Sequence, residues 1–248
     1  MSTIYILWLR QVKRYLRSRS RIIGSLGQPL LFLITFGFGF GSIYQKAGQG
    51  NYMQFLAPGI ILMSVLFTAV FSGAELIWDK QFGFLKETLV APVPRYQIML
   101  GRTLGGASVA VFQGIIVFVL TLIVGFRPNT IHGLIAGFVL IFLIAVLFTS
   151  VGTIIASLME DMQGFQLIMN FLVMPIFFLS GAIFPLVSLP PLLKIITTIN
   201  PLTYGVDGVR GAFIGVSNYG FGFDILITGA VAFVLLSAGT YLFSRIQV

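Results

Sequence analysis

The sequence predicts an all-α integral membrane protein with six transmembrane helices. Of its 248 residues, 57% are hydrophobic and only 9% are charged, whereas an average soluble domain has about 25% charged residues. A water-soluble fold of this length cannot bury that much apolar surface. The composition therefore excludes a soluble enzyme, a nucleic-acid-binding domain and an extracellular disulfide scaffold. The absence of cysteine also excludes thiolate chemistry.

Six apolar runs have the length that a helix needs to cross about 30 Å of hydrocarbon. They cover residues 22–44, 55–77, 104–126, 131–158, 165–184 and 224–243. Because the number of spans is even, both termini are expected on the same side of the membrane. Residues 1–248 are predicted to form a single transmembrane domain.

The distribution of Lys and Arg predicts the orientation, because these residues concentrate in the cytoplasmic segments of membrane proteins. With the N-terminus inside, eleven of the 15 basic residues, from Arg10 to Arg245, lie in inner segments and four lie in outer segments. Both termini are therefore predicted to be cytoplasmic, in a multi-pass protein of the cell (plasma) membrane. No small-residue cleavage pattern follows the first run, so no cleavable signal peptide is expected.

The segment before the first span predicts an amphipathic helix at the inner membrane surface. At about 100° per residue, an apolar face opposes a basic face. The basic face of this interface helix contains Arg10, Lys13, Arg14, Arg17 and Arg21. Such a helix either contacts a cytoplasmic partner or gates the inner mouth of a pathway; the alternative is a plain topology signal.

The longest inner connection, residues 78–102, predicts one short helix closed by a stiff turn. Within residues 81–90, Phe82, Leu85 and Leu89 lie on one face and the charges lie elsewhere. The segment from Pro92 to Pro94 ends the helix, because proline lacks an amide hydrogen and disfavours helix in the residue before it. A helix of this kind fits a socket on another protein or rests on the membrane surface.

Two blocks of sequence carry a family resemblance. The first contains Gly73-Ala74-Glu75-Leu76-Ile77, Gly83-Phe84-Leu85-Lys86-Glu87-Thr88-Leu89, Pro92-Val93-Pro94-Arg95 and Leu100-Gly101-Arg102. The second contains Phe178-Leu179-Ser180-Gly181-Ala182-Ile183-Phe184-Pro185, Leu189-Pro190, Asn200-Pro201-Leu202-Thr203-Tyr204, Asp207 and Arg210-Gly211. In this order, and with six spans, the blocks resemble the type-2 ABC transporter permeases, in particular the daunorubicin-resistance-like exporter branch.

The resemblance implies a permease that is half of a pair, either a homodimer or a heterodimer with a sister permease. It also implies that each copy sits on a cytoplasmic ABC ATPase subunit, on which the loop helix docks. The residues assigned to ATPase coupling are Gly83, Leu85, Lys86, Glu87, Leu89, Pro92 and Arg95. Many relatives have an acidic or Arg-Glu pair just before the glycine, where this chain has Lys80-Gln81-Phe82, so the charges that contact the ATPase are left open.

No cofactor is expected in this chain. It lacks the Gly-x-x-x-x-Gly-Lys-Ser/Thr motif, and its cytoplasmic segments are too short to fold an ATPase domain, so ATP and Mg²⁺ are expected on the partner. The single histidine, His132, has no ligand-type residue at metal-binding spacing, so no metal site is expected. None of the seven acidic residues lies at mid-span, which argues against an ion-coupled carrier and a membrane-embedded hydrolase.

Residues 185–223 are too apolar for an ordinary loop, but prolines interrupt them too often for one helix to cross the membrane. Pro190-Pro191 opens one short helix, and Asn200-Pro201 separates it from a second. We expect two half-length helices, a re-entrant hairpin in the outer leaflet. Asp207 and Arg210 are expected to form a structural ion pair, with substrate contact as the alternative. The outer gate is assigned to Asn200, Pro201, Tyr204, Asp207 and Arg210.

Polar side chains inside the spans are candidates for the substrate pathway. They are Gln28, Ser64, Thr68, Ser72, Glu75, Gln113, Gln166 and Asn170. For each one, hydrogen bonding between helices is the alternative. The stripe from Ser64 to Glu75 along one face of the second span implies a partner or water along its length. The resemblance implies that the first, second and fifth spans face the dimer axis.

The residues and the resemblance together predict the permease subunit of an ATP-driven exporter rather than an enzyme. An aromatic content of 14% and a pathway with few charges favour an amphipathic, drug-like, lipid or lipid-linked glycan substrate. The exporter would move this substrate out of the cytoplasm or the inner leaflet. An ion-coupled secondary transporter and a non-transporting membrane scaffold subunit are the alternatives.

Overall fold

The computed structural model describes residues 3–46, 50–90, 92–186 and 190–244, and helices are the only regular secondary structure in them. The predicted all-α class is confirmed. The helices are α1 (Thr3–Arg17), α2 (Arg19–Lys46), α3 (Tyr52–Phe71), α4 (Ala74–Gln81), α5 (Phe84–Val90), α6 (Arg95–Val124), α7 (Ile131–Leu158), α8 (Met162–Phe178), α9 (Pro191–Ile199), α10 (Pro201–Ile214) and α11 (Phe221–Ser244). Leu189 and Arg245 lie outside the described residues, as do the side chains of Lys86 and Leu89.

Within the described part of the chain, five helical segments are long and apolar enough to cross a membrane. They are α2, α3 continued by α4, α6, α7 and α11. The predicted span 165–184 instead forms α8, whose 17 residues extend over about 26 Å. This helix ends at Phe178 because the chain turns at Gly181, where φ is 77°. The turn brings the backbone of Ala182 against Gly59 of α3.

The centre of the molecule is α3, in which 15 of 20 residues are buried. It packs against α2, α6, α7, α8 and α10. Around it, α7 packs against α6, α10 and α11. Most of α2 and α11 faces outward, as expected for helices whose apolar side chains are solvated by lipid.

The bend between α3 and α4 lies against α7, backbone to backbone. A Cβ atom on Gly152 of α7 would lie closer than 3.0 Å to the carbonyl oxygen of Val70, and one on Gly73 would lie as close to the carbonyl oxygen of Gly152. Small residues permit this approach between membrane helices. The two glycines therefore determine how closely α7 crosses the bend.

The N-terminal helix α1 packs lengthwise on α6. The Trp8 indole nitrogen donates to the Ser108 hydroxyl over 2.9 Å, and the Tyr15 hydroxyl donates to the Gln113 side-chain oxygen. Burial raises the pKa of Tyr15 above its ordinary 10.0, so this hydroxyl remains a neutral donor. The apolar face that the sequence predicts is thus used, in large part, for contact with α6.

The predicted loop helix is present as α5, separated from α4 by Gly83, which has a φ of 78°. Glycine adopts this left-handed conformation without the steric cost that a side chain would add. The helix therefore begins at Phe84 rather than before the glycine. After the turn, α6 begins at Arg95. The helix therefore starts nine residues before the apolar run that predicts the third span, which begins at residue 104.

The predicted pair of short helices after α8 is also present, as α9 and α10. Asn200 separates them and caps α10 by accepting a hydrogen bond from the Leu202 amide over 3.0 Å. Pro201 occupies the first turn of α10, where its missing amide hydrogen costs nothing. Most of α10 is buried, in contact with α3, α7 and α11.

Candidate functional site

Two carboxylates on α4, one helical turn apart, bind arginines from three other helices. The Asp79 carboxylate accepts hydrogen bonds from Arg102 of α6 and, over 3.3 Å, from Arg10 of α1. Asp79 is 4% exposed and Arg102 is 7% exposed. This ion pair is therefore largely shielded from water, where removal of one partner is costly.

Glu75, one helical turn before Asp79, also forms ion pairs with two arginines. Its carboxylate lies 2.7 Å from Arg21 of α2 and 3.7 Å from Arg14 of α1. Together with the Asp79 contacts, these pairs join α1, α2 and α6 to the helix that leads into α5. We call Glu75, Asp79 and their four arginines the α4 ion-pair cluster.

The sequence pattern does not predict the α4 ion-pair cluster. It places Glu75 in the pathway, and Arg10, Arg14 and Arg21 on the basic face of the interface helix. The available signal is a match of spacing: two carboxylates four residues apart on α4 and two arginines four residues apart on α1. Side chains with this spacing lie on one face of a helix. The other two basic residues of that face, Lys13 and Arg17, are exposed.

The residues assigned to ATPase coupling have different environments. Leu85 is fully buried, whereas Glu87 and Pro92 are exposed and Gly83 forms the turn. Arg95 donates to the carbonyl oxygen of Ser244 at the end of α11 over 2.6 Å. The prediction that Phe82 and Leu85 lie on one face of a single helix is wrong, because α5 begins only at Phe84, after the turn at Gly83. Phe82 is exposed, whereas Leu85 is buried in the core.

A different set of apolar side chains is exposed around α5. Trp78 and Phe82 stack with ring centroids 5.5 Å apart, and Phe82 is 63% exposed. Phe84 and Val90 are 51% and 84% exposed. We call these four residues the α5 apolar patch. Several large apolar side chains exposed along one short segment often mark an interaction surface.

A cavity of about 230 Å³ lies between α2 and α3 and also contacts the end of α1. Three predicted pathway residues, Gln28, Ser64 and Thr68, line it together. Aromatic rings from Phe67 and Phe71 also line it, and Arg21 is the charged residue among the lining side chains. This is an amphipathic chamber with polar groups on an otherwise apolar wall.

The other predicted pathway residues lie elsewhere. Gln113 is buried against Tyr15 of α1, and Gln166 and Asn170 are exposed on α8. The predicted stripe divides into three parts. Ser64 and Thr68 line the chamber, and Glu75 binds arginines. Ser72 is buried, and its hydroxyl, like that of Ser64, donates to the carbonyl oxygen three residues earlier in its own helix. Hydroxyl-to-backbone bonds of this type are a common solution in apolar helices.

The predicted ion pair between Asp207 and Arg210 does not form. Arg210 donates to the carbonyl oxygen of Phe55 over 3.2 and 3.3 Å and to that of Gly181 over 3.0 Å. Its guanidinium lies 3.8 Å from the centre of the Phe55 ring, a cation–π contact. Arg210 therefore joins α10 to the start of α3 and the turn after α8.

The Asp207 carboxylate instead organises the loop between α10 and α11. It accepts hydrogen bonds from the Ser217 hydroxyl, from the amide and side chain of Asn218, and from the Tyr219 amide, all between 2.7 and 3.0 Å. These four donors compensate the buried charge, so no guanidinium is required.

Asn200 and Tyr204 complete the outer unit. The Asn200 side chain donates to the carbonyl oxygen of Ile176 in α8 over 2.7 Å, and the Tyr204 hydroxyl donates to that of Thr198 over 2.8 Å. The five residues assigned to the outer gate therefore lie in one unit that connects α8, α9, α10 and the following loop.

Replacing Arg210 with methionine is expected to lower the thermal stability of the purified protein. The change leaves the carbonyl oxygens of Phe55 and Gly181 without this donor, at roughly 1–3 kcal/mol for each buried acceptor. The measurement is the unfolding midpoint in detergent. Lys194→Met on the exposed surface of α9 is the matched control and should leave the midpoint unchanged. Equal midpoints for both variants would show that the Arg210 contacts contribute little.

The described residues contain no group of three or more His, Cys, Asp and Glu side chains arranged to hold a metal ion.

The five long apolar helices of the described segments are typical of a multi-pass membrane protein, and a chamber between two of them is compatible with a transport protein. Residues 2–214 match the family model described as ABC-2 type transporter. The chain therefore belongs to the ABC-2 type transporter family, whose members include transport permeases.

Curated relatives agree with this assignment. The inner membrane transport permease YadH of Escherichia coli is 30% identical over 234 residues, which cover 93% of this chain and 91% of the relative. The putative transport permease ycf38 of Cyanophora paradoxa is 29% identical, with coverage of 84% and 72%. Nodulation protein J of Rhizobium leguminosarum bv. trifolii is 25% identical, with coverage of 85% and 78%.

Proposed function

We propose that this chain is the transmembrane permease subunit of an ATP-driven exporter. The proposal rests on the α5 apolar patch, because exposed aromatic and aliphatic side chains next to a short helix can bind in a groove of another protein. Membership of the ABC-2 type transporter family supports an ABC ATPase as the protein that provides it. ATP and Mg²⁺ are then bound and used by that separate chain, and this chain has no catalytic residues.

The topology that we propose has six spans, with α8 as a short fifth span and α9–α10 as a re-entrant hairpin in the outer leaflet. The 17 residues of α8 lie at the lower end of the range of about 17–25 for spanning helices. Both termini and α5 then face the cytoplasm, in agreement with the excess of inner Lys and Arg. Residues 1–248 act as one transmembrane domain in the cell membrane.

A second permease completes the channel in this proposal, either another copy of this chain or a sister chain. The exposed amides of Gln166 and Asn170 lie one turn apart on α8. Amide side chains that face lipid lack hydrogen-bond partners, and a neighbouring helix supplies them. The outward side of α8 is therefore the face that we assign to the partner permease, and lipid surrounds the rest of the dimer.

The docking role belongs to the segment from Gly83 to Arg95. Glu87, Pro92 and the α5 apolar patch form the exposed surface on which the ATPase would dock. Leu85 is buried in the core and holds α5 against the rest of the protein. Lys86 and Leu89 are assigned to the same surface from the sequence. The basic face of α1 is partly used inside the molecule, through Arg10 and Arg14.

An amphipathic drug-like molecule, a lipid or a lipid-linked glycan is the substrate class that the chamber favours. Its aromatic walls suit an apolar body, and Gln28, Ser64, Thr68 and Arg21 suit a polar head. The substrate must bind more weakly in the outward state, since ATP binding otherwise could not shift the equilibrium between states. The two carboxylates of the α4 ion-pair cluster already face arginines, so neither is available to bind a coupling ion.

The test of this function is the Val90→Asp variant, assayed for binding of its ABC ATPase, which we expect a neighbouring open reading frame to encode. A charge at an 84% exposed position in the centre of a protein interface should weaken binding at least about tenfold, equivalent to 1.4 kcal/mol. Binding is measured by co-purification and by titration of the ATPase onto permease in lipid nanodiscs.

The matched control is Ile131→Asp, at a 77% exposed aliphatic position at the other end of the molecule. An aspartate in the first turn of α7 is compatible with the helix dipole, so this variant should bind the ATPase as the wild type does. If the wild type binds no ATPase, the proposed function is wrong. If Val90→Asp binds as tightly as Ile131→Asp and the wild type, the α5 apolar patch is not the docking surface.

A further inference from the structure

The entry to α5 is tied to the end of α7. The Lys80 ammonium donates to the carbonyl oxygens of Ala156, Ser157 and Met159, at 3.0, 2.7 and 3.0 Å. The last carbonyl groups of a helix have no partner within the helix and carry the negative end of its dipole. One ammonium group therefore satisfies three acceptors at the C-terminus of α7.

The exit from α5 is tied to the end of α11 in the same way. The Arg95 guanidinium donates to the carbonyl oxygen of Ser244, the last residue of α11, over 2.6 Å. Arg95 is also the first residue of α6. The seven-residue helix α5 thus lies between two cations, each of which holds the C-terminus of a different long helix.

These two helices lead to the outer unit. α7 and α11 pack against each other, and both pack against α10, which contains Tyr204, Asp207 and Arg210. With 28 and 24 residues, α7 and α11 extend over about 42 and 36 Å. If each helix moves as a rigid body, a displacement of its C-terminus would therefore also displace the part that packs against α10.

We propose that Lys80 and Arg95 are positioning residues that transmit the movement of α5 to α7 and α11. The inference rests on the proposed function, in which the ATPase moves α5. It gives Arg95 a role within the permease, at the end of α11, rather than one limited to ATPase docking. Lys80 connects α5 to the end of α7, and Arg95 connects it to the end of α11.

The experiment uses reporters at the far ends of the two helices. The chain contains no cysteine, so a single introduced cysteine carries a fluorescent or spin label without background. Ile131→Cys reports on α7 and Phe223→Cys reports on α11; both positions are exposed. The labelled permease is combined with its ATPase in nanodiscs, and the nucleotide-dependent signal change is measured with and without ATP and Mg²⁺.

The expected result is a selective loss. Lys80→Met should reduce the signal change at residue 131 at least about fivefold, the lower range of allosteric coupling, and leave more of the change at residue 223. Arg95→Met should show the opposite pattern. ATPase binding and ATP hydrolysis should persist in Lys80→Met. Arg95 also belongs to the docking segment, so the two signals of Arg95→Met are compared at saturating ATPase, where a weaker docking contact does not enter the comparison. Arg95→Lys, which keeps a cation at the end of α11, should restore much of the signal at residue 223.

The controls separate this role from a general loss of structure. Lys13→Met and Arg19→Met remove exposed cations of the same types and should change neither signal. A general structural defect would reduce both signals together in each variant, and this result, or unchanged signals in both, would overturn the coupling role. If the wild-type permease binds no ATPase, the proposed function fails, and the coupling role fails with it.

Discussion

The Asp79→Asn variant is expected to lose about 3–5 kcal/mol of stability, the usual cost of removing one partner from a buried ion pair. Asp79 is 4% exposed and its partner Arg102 is 7% exposed, so the guanidinium keeps its charge with little access to water. Arg10 also loses its hydrogen-bonded carboxylate partner. The measurement is the thermal unfolding midpoint of the purified permease in detergent.

Two further variants define the cause. Asp161→Asn replaces an exposed carboxylate that caps α8 by accepting from the Gly164 amide, and asparagine caps helices as well as aspartate does, so this control should be close to wild type. Asp79→Leu combined with Arg102→Met removes both buried charges and should recover most of the stability. A double variant as unstable as Asp79→Asn would show that the unpaired charge is not the reason.

The Gly152→Ala variant is expected to destabilise the protein by about 3 kcal/mol, at the upper end of the usual cost of overpacking. The new Cβ atom would meet the backbone carbonyl of Val70 at less than 3.0 Å, and a backbone group cannot move aside as a flexible side chain can. The crossing of α7 against the bend between α3 and α4 would have to widen. The unfolding midpoint and the yield of monodisperse protein are the measurements.

Gly73→Ala provides an internal check, because its Cβ atom would push the same two backbones apart through the carbonyl of Gly152. Once one substitution has separated the helices, the second meets less resistance, so the double variant should cost less than the sum of the single variants. Gly229→Ala, with open space around its Cβ position, is the control and should be neutral. Additive losses would contradict the shared contact.

Much of the fold was predictable from the sequence, because its signals are local. Apolar runs of about 20 residues predict long helices, and Pro92 and Asn200 mark where short helices begin or end. The exception is α8, whose apolar run continues to residue 184 while the helix ends at Phe178. The turn there is stabilised by contacts with α3 and α10, which no local pattern in the run reveals.

The candidate site was predictable only in part. Gln28, Ser64 and Thr68 meet in one chamber as expected for pathway residues. Glu75 belongs to an ion-pair cluster instead, and Asp207 and Arg210 bind different partners although they are three residues apart. Their spacing permits an ion pair. Asp207 instead accepts hydrogen bonds from the following loop, and Arg210 donates to carbonyl oxygens of distant segments.

By itself, the sequence determined the all-α class, the positions of most apolar helices and the family to which the chain belongs. The tertiary structure alone decided which groups the few charged side chains bind. The physical reason is that a charge in a low-dielectric interior must find a partner, and that partner comes from any segment brought near. For Asp79 the partners are 69 and 23 residues away, and for Lys80 they are up to 79 residues away.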